Sequence, residues 1–195
     1  MKKLTIVYHS GFGHTRRQAE AVLEGAASVD GIEAHLLTTE EAAERMDDLD
    51  AADAIVFGCP TYMGSMSAEM KRFLEGTVKR WFSQAWAGKI AGGFTNSSSF
   101  LGDKLNTLVG LMIHAMQHGM IWVGSGVMPS ANRPQAMTTA EGPGPDAHNR
   151  LGSFVGPMAA SFQLDDGPPL GDLETAETYG RRVAEVTLRL APPTE

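Results

Sequence analysis

Residue types able to bind a ligand concentrate in Ser10-Gly11-Phe12-Gly13-His14-Thr15, at the seam between an apolar strand, residues 4–9, and an amphipathic helix opening near Thr15. A helix that starts directly behind a buried strand leaves its first N–H groups unpaired and its positive dipole end facing outward, so an anion is the natural occupant. A nucleoside-triphosphate loop needs Lys then Ser or Thr after its second glycine, whereas Gly13 is followed by His14-Thr15-Arg16. A dinucleotide fingerprint needs a third glycine where Arg16 stands, and an acid on the second strand, which reads His35-Leu36-Leu37-Thr38. What is left is a loop of hydroxyls and accessible backbone suited to one terminal phosphate held by neutral donors. The same residues equally describe a tight strand-to-helix turn with a Ser/Thr cap and no ligand.

Two more loops share this character. Pro60-Thr61-Tyr62-Met63-Gly64-Ser65-Met66-Ser67 follows the apolar run 54–59 and ends on a helix cap, Ser67. Asn96-Ser97-Ser98-Ser99-Phe100-Leu101-Gly102 follows a strand over 89–95, whose paired glycines, Gly92-Gly93, predict close packing under a helix.

Five strands are expected, at 4–9, 33–37, 54–59, 89–95 and 120–123, with helices between them. The helical stripes are Ala19, Val22, Leu23 and Ala26, then Met70, Phe73, Leu74 and Val78, then Leu105, Leu108, Val109, Met112 and Ile113. A final helix over 173–190 packs through Ala176, Tyr179, Val183, Val186 and Leu190 and is stopped by Ala191-Pro192-Pro193. Strands alternating with helices imply an α/β fold, a doubly wound five-stranded parallel sheet with helices on both faces. Ligands then bind beyond the carboxyl ends of strands one, three and four, where all three loops lie. Residues 124–171 form a long excursion rich in Gly, Pro, Ser and Ala, the mark of a lid, an oligomer contact or disorder, with 150–156 its most ordered part.

A chain of 195 residues suits one domain, here 1–195 with the excursion inside it. A formal charge of −7 with scattered basic residues excludes nucleic acid as a partner. No apolar run reaches membrane-span length, and Met1-Lys2-Lys3 leads straight into a strand with no room for a signal peptide, so a cytoplasmic location is expected. One cysteine, Cys59, excludes an internal disulfide and reads as a small buried residue. The dispersed histidines argue against zinc, and Asp47-Asp48-Leu49-Asp50 reads as a solvated turn, so no metal is expected.

Ser10-Gly11-Phe12-Gly13-His14, the loop 60–67, Trp81 and Gln117-His118-Gly119-Met120 together resemble the WrbA-like branch of the flavodoxin-fold family, FMN-dependent NAD(P)H:quinone oxidoreductases. The resemblance covers most of the chain, and the second loop is its most specific part. It implies a flavodoxin-like sheet with FMN at the carboxyl edge, NADH or NADPH as electron donor, a small quinone-like acceptor and a homodimer or homotetramer. By the same resemblance Ser10, Phe12, Gly13, His14 and Thr15 hold the FMN phosphate. Pro60, Thr61, Tyr62, Met63, Gly64 and Ser65 run along the flavin ring, and Thr95, Asn96, Ser97 and Ser98 line its other side. Trp81 covers a neighbouring flavin site, and His118 lies near the pyrimidine end and the substrate pocket as the candidate catalytic residue. The chain departs from the family where Tyr62 and Met63 replace the more frequent Arg and Phe, in a serine-rich third loop, and in a short or absent insertion after the second strand.

Other readings of the same residues stay open. His118 before Gly119 also describes a helix end, and Trp81 and Trp86 also suit core or interface packing. Met70, Met112 and Met116 read as core filling. A non-enzymatic flavodoxin-type electron carrier is the alternative function, and a fold member without FMN, acting as an interaction module, is a third.

Overall fold

The computed structural model describes residues 1–130, 132–138, 142–162 and 167–190. The elements run β1 (Lys2–Tyr8), α1 (His14–Ala27), β2 (Ile32–Thr38), α2 (Thr39–Glu44), α3 (Met46–Asp50), β3 (Ala54–Tyr62), β4 (Ser65–Met66), α4 (Ala68–Gly76) and α5 (Val78–Ser83). They continue with β5 (Ile90–Ser97), α6 (Lys104–Gln117), β6 (Ile121–Trp122), α7 (Pro134–Thr138), β7 (Met158–Ala160) and α8 (Leu170–Leu190). The helix stop expected at Ala191-Pro192-Pro193 and the excursion's Glu141 lie outside the described residues.

Five strands form the parallel path β2-β1-β3-β5-β6, so the order reverses beside β1, as doubly wound folds require. Two short strands join the expected five. β4 folds back antiparallel on β3, pairing Tyr62 with Ser65, and β7 runs parallel to β5 from Thr95 to Ser97. β6 covers only Ile90 and Ala91 of β5. The edge position beside β5 is therefore filled in two pieces, with the excursion leaving after β6 and returning as β7. That accounts for the length of the segment: it interrupts an edge strand and then completes it.

Both sheet faces are covered. Leu4, Ile6, Val56, Ile90 and Phe94 point toward α1 and α8, and Val7, Ile55, Phe57, Cys59 and Ala91 toward α2, α4 and α6. Burial pushes the Cys59 thiol up to about 12, in keeping with an inert core residue. The expectation for Gly92-Gly93 is met, since a Cβ at Gly92 would stand 2.3 Å from the Tyr179 hydroxyl. That hydroxyl accepts from Gly93 N at 3.0 Å and donates to the Val123 carbonyl at 2.7 Å. Ser67 caps α4 by accepting from Met70 N, and Gly119 ends α6 with φ 70°.

Two expectations are corrected. On α6 the sheet receives Thr107, Leu108, Leu111 and Ala115, while Leu105 (52% exposed), Ile113 (53%) and Met116 (49%) face outward. The helix is apolar on two sides, and periodicity alone does not say which side meets the sheet. Asp50 is no solvated turn residue: its carboxylate accepts from the Trp86 indole at 2.8 Å and from Arg80 Nε at 3.1 Å. Trp86 is thereby fixed in the core, whereas Trp81 lies at the surface against Phe82.

α1 and α8 pack backbone to backbone. A Cβ at Gly25 would lie 1.8 Å from the Glu177 carbonyl oxygen, and one at Gly180 2.0 Å from that of Val22. Gly180→Ala should cost about 2 kcal/mol in urea unfolding, because the strain of separating two packed helices exceeds the gain in helix propensity of about 1 kcal/mol. Gly76→Ala, where nothing lies within 4 Å, is the control and should be neutral or mildly stabilising.

Candidate functional site

A cavity of about 620 Å³ opens at the carboxyl edge of β1, β3 and β5. Its floor is the first loop, through Ser10, Gly11, Phe12, His14 and Thr15. Pro60, Thr61 and Tyr62 form one side, and Asn96, Ser97, Ser98 and Ser161 the other. The volume lies within the range usual for cofactor sites.

The floor is an uncapped helix end. Gly13 is the N-cap of α1, with φ 86° in the left-handed region that glycine tolerates, and no side chain accepts from the helix's first N–H groups. Ser10 Oγ is buried and has no protein partner. A tight turn with a Ser/Thr cap is therefore not what the chain builds: the hydroxyl that could cap the helix is unpaired, and the helix end faces the cavity. Asn96 Oδ1, across the cavity, is likewise buried and unpaired. Orphaned polar atoms on opposite sides of one cavity are what a polar ligand would satisfy.

Tyr62 leans over the floor, where a side chain at Gly11 would meet its hydroxyl at 2.5 Å. Burial, followed by the Glu69 charge, raises its phenol above the ordinary value, against an opposing hydrogen bond from the Gly11 backbone. Met63 and Gly64, with φ 48° and 78°, form the two-residue turn between β3 and β4 and stay outside the cavity. Ser65 starts β4 and also lies outside, and Asn106 Nδ2 pins the turn by donating to the Gly64 carbonyl at 2.8 Å.

Behind the second loop the buried hydroxyls of Thr61, Thr95 and Thr107 form a directed chain. Thr95 Oγ1 donates to the Cys59 carbonyl at 2.7 Å, so it must accept from Thr61 at 2.8 Å, and Thr61 must then accept from Thr107 at 2.8 Å. Thr95 accordingly supports the wall and does not line it.

The excursion supplies the residue that sequence reasoning missed. Ser161, just past β7, lies 3.0 Å from His14 Nδ1 and 3.3 Å from Asn96 Nδ2, bridging the first and third loops. Only the pairing of β7 with β5 brings it there, and nothing in its sequence surroundings signals it. Arg150 and Asp172 fix this return: Arg150 donates from Nε and Nη2 to the carboxylate at 2.8 and 2.9 Å, and Ala160 N donates to it at 2.9 Å. The guanidinium lies 5.0 Å from the Phe100 ring and 5.7 Å from that of Phe162.

Two candidate residues stand elsewhere. Trp81, on α5, does not line the cavity. His118 is 1% exposed, with its ring 4.6 Å from that of Trp86 and 4.7 Å from that of His114, and Nε2 3.0 Å from Thr77 Oγ1. It is a core residue within the protomer, at the end of α6 as the helix-end reading has it.

Among known proteins, residues 28–135 match the family described as NADPH-dependent FMN reductase. The chain is 42% identical over 193 residues to flavodoxin FldP of Pseudomonas aeruginosa, covering 97% of this chain and 99% of that protein. It is 33% identical to an NAD(P)H dehydrogenase (quinone) of Syntrophobacter fumaroxidans, covering 96% and 98%. A solved structure, the flavodoxin, WrbA-like protein from Agrobacterium tumefaciens, superposes with a TM-score of 0.73 at 41% identity, over 97% of this chain and 99% of that one.

The buried imidazoles make stability depend on pH. Burial, then the charges of His118 and Lys71, lowers His114 to about 3, and burial also lowers His118. A depressed histidine contributes stability above its unfolded value near 6.5, and that stability is lost as pH falls toward the folded value. Urea unfolding should therefore show about 2 kcal/mol less stability from His114 at pH 5 than at pH 7.5. His114→Leu should remove that part of the slope.

Proposed function

As the chain belongs to the NADPH-dependent FMN reductase family, in its WrbA-like flavodoxin-fold branch, we propose that it is an FMN-dependent NAD(P)H oxidoreductase delivering electrons to a quinone or similar acceptor. The observation that carries the reading is the uncapped N-terminus of α1 opening into a cavity whose Ser10 Oγ and Asn96 Oδ1 lack protein partners. The relatives named NAD(P)H dehydrogenase (quinone) suggest the donor and acceptor.

The residues present fit FMN. Ser10, Thr15 and the first N–H groups of α1 offer neutral donors and a helix dipole to a phosphate. Thr61 and Tyr62 on one side and Asn96, Ser97 and Ser98 on the other offer a slot with backbone and amide groups for a flat polar ring. When bound, FMN supplies a reversible two-electron store between nicotinamide and acceptor. The chain's part is to hold it, to exclude water with Phe12 and Tyr62, and to leave one face open. The Thr107–Thr61–Thr95 hydroxyl chain keeps the second and third loops in register without presenting an acid or base to the cavity.

A second reading, a non-enzymatic electron carrier, is favoured by one observation, the name flavodoxin borne by a relative 42% identical to this chain. An anaerobic visible spectrum of the FMN-loaded protein separates the two. Bleaching by NADH or NADPH, with colour restored by a quinone, is the expected result. A flavin spectrum that neither nucleotide moves would reject the oxidoreductase and favour the carrier.

The outward apolar side of α6, with Leu105, Ile113 and Met116, supports a homo-oligomer. Ile113→Lys should shift the protein toward monomer in sedimentation velocity while the fold's circular dichroism stays unchanged.

A further inference from the structure

Lys104, the first residue of α6, is only 1% exposed. Its ammonium donates to Ser97 Oγ at 2.8 Å and to the Ser99 carbonyl at 2.5 Å, and Ser97 Oγ itself donates to the Ser99 carbonyl at 3.1 Å. The loop is wound tightly around this point, since a Cβ at Gly102 would stand 2.7 Å from Ser97 Oγ. Among the described residues no carboxylate lies within ion-pair distance of Lys104. Asp172, the carboxylate whose charge acts on it, is already held by Arg150 and Ala160.

An ammonium buried this way costs free energy that two neutral acceptors do not restore. Burial, with Arg150 adding and Asp172 opposing, lowers it to about 8, so at neutral pH most of it carries its charge. A neutral side chain of similar length could make loop contacts without that cost. What distinguishes lysine here is a positive charge set one hydrogen-bonded residue behind the cavity lining.

We propose that Lys104 is a positioning residue whose charge, held behind the third loop by Ser97 and Ser99, selects across that loop for the electron-rich state of the ligand in the cavity. The inference rests on the FMN reading. It adds that this lysine favours reduced over oxidised FMN. Reduction by two electrons and one proton leaves one negative charge on the ring, and a fixed positive charge behind the third loop lowers the cost of holding it.

The test measures two quantities on FMN-loaded protein, the affinity for oxidised FMN and the midpoint potential against equilibrating dyes, in wild type, Lys104→Gln, Lys104→Met and Lys104→Arg. Lys104→Gln keeps a donor for Ser97 and Ser99 without the charge. The expected result is oxidised-FMN affinity within about threefold of wild type in Lys104→Gln, with reduced FMN bound about tenfold more weakly relative to oxidised. That ratio corresponds to a midpoint about 30 mV lower for a two-electron couple. Lys104→Met should show the same drop, and Lys104→Arg should keep the wild-type ratio. A ratio unchanged in Lys104→Gln and Lys104→Met, or lost equally in Lys104→Arg, would overturn the proposal and leave the FMN reading intact. Failure of the wild type to bind FMN at all would instead overturn that reading, and the proposal with it.

Discussion

One buried carboxylate decides whether Ser161 reaches the cavity wall. Asp172, in the first turn of α8, takes both N–H arms of Arg150 and the backbone N–H of Ala160, with Arg150 reaching on to the Ala160 carbonyl. A buried ion pair is stabilising only when its geometry and remaining hydrogen bonds offset the loss of hydration of both ions, and here both partners are also tied to the backbone they position. With that pair in place β7 lies against the end of β5, Ser161 reaches His14 and Asn96, and the Phe100 and Phe162 rings close over the guanidinium. Other bonds hold the excursion nearby, among them Trp122 Nε1 to the Val155 carbonyl, but this pair is the one that fixes the Ala160 backbone beside Ser161.

The sheet does the rest by topology. The reversal of strand order beside β1 leaves a crevice that no helix fills, and the loops bordering it come from elements far apart in sequence. Each loop is stiffened from behind by a different device: the helix opening at Gly13 under the first, the hydroxyl chain under the second, the lysine and Gly102 under the third. A site built this way has little reorganisation left to do when a ligand arrives.

Much of this was legible in the sequence, and the boundary falls where physics says it should. The strand-turn-helix at residues 4–26 and the cap at Ser67 are local, so residue types alone announce them. Gly92-Gly93 signalled a close approach because only a missing side chain admits Tyr179 there. Ser161, Arg150, Asp172 and Lys104 left no such trace, since their roles depend on partners that only the tertiary fold brings near. Asp50 looked like one more solvated acid because its Trp86 contact spans separate elements. On α6 the apolar residues were recognised, but a helix that is oily on two sides does not announce which side is inward.

The two-piece edge beside β5 has a further consequence. β6 offers only two residues and β7 three, and the chain turns away between them. A foreign strand looking for a long row of unpaired backbone groups finds none there, so runaway strand-to-strand polymerisation has no template on that flank.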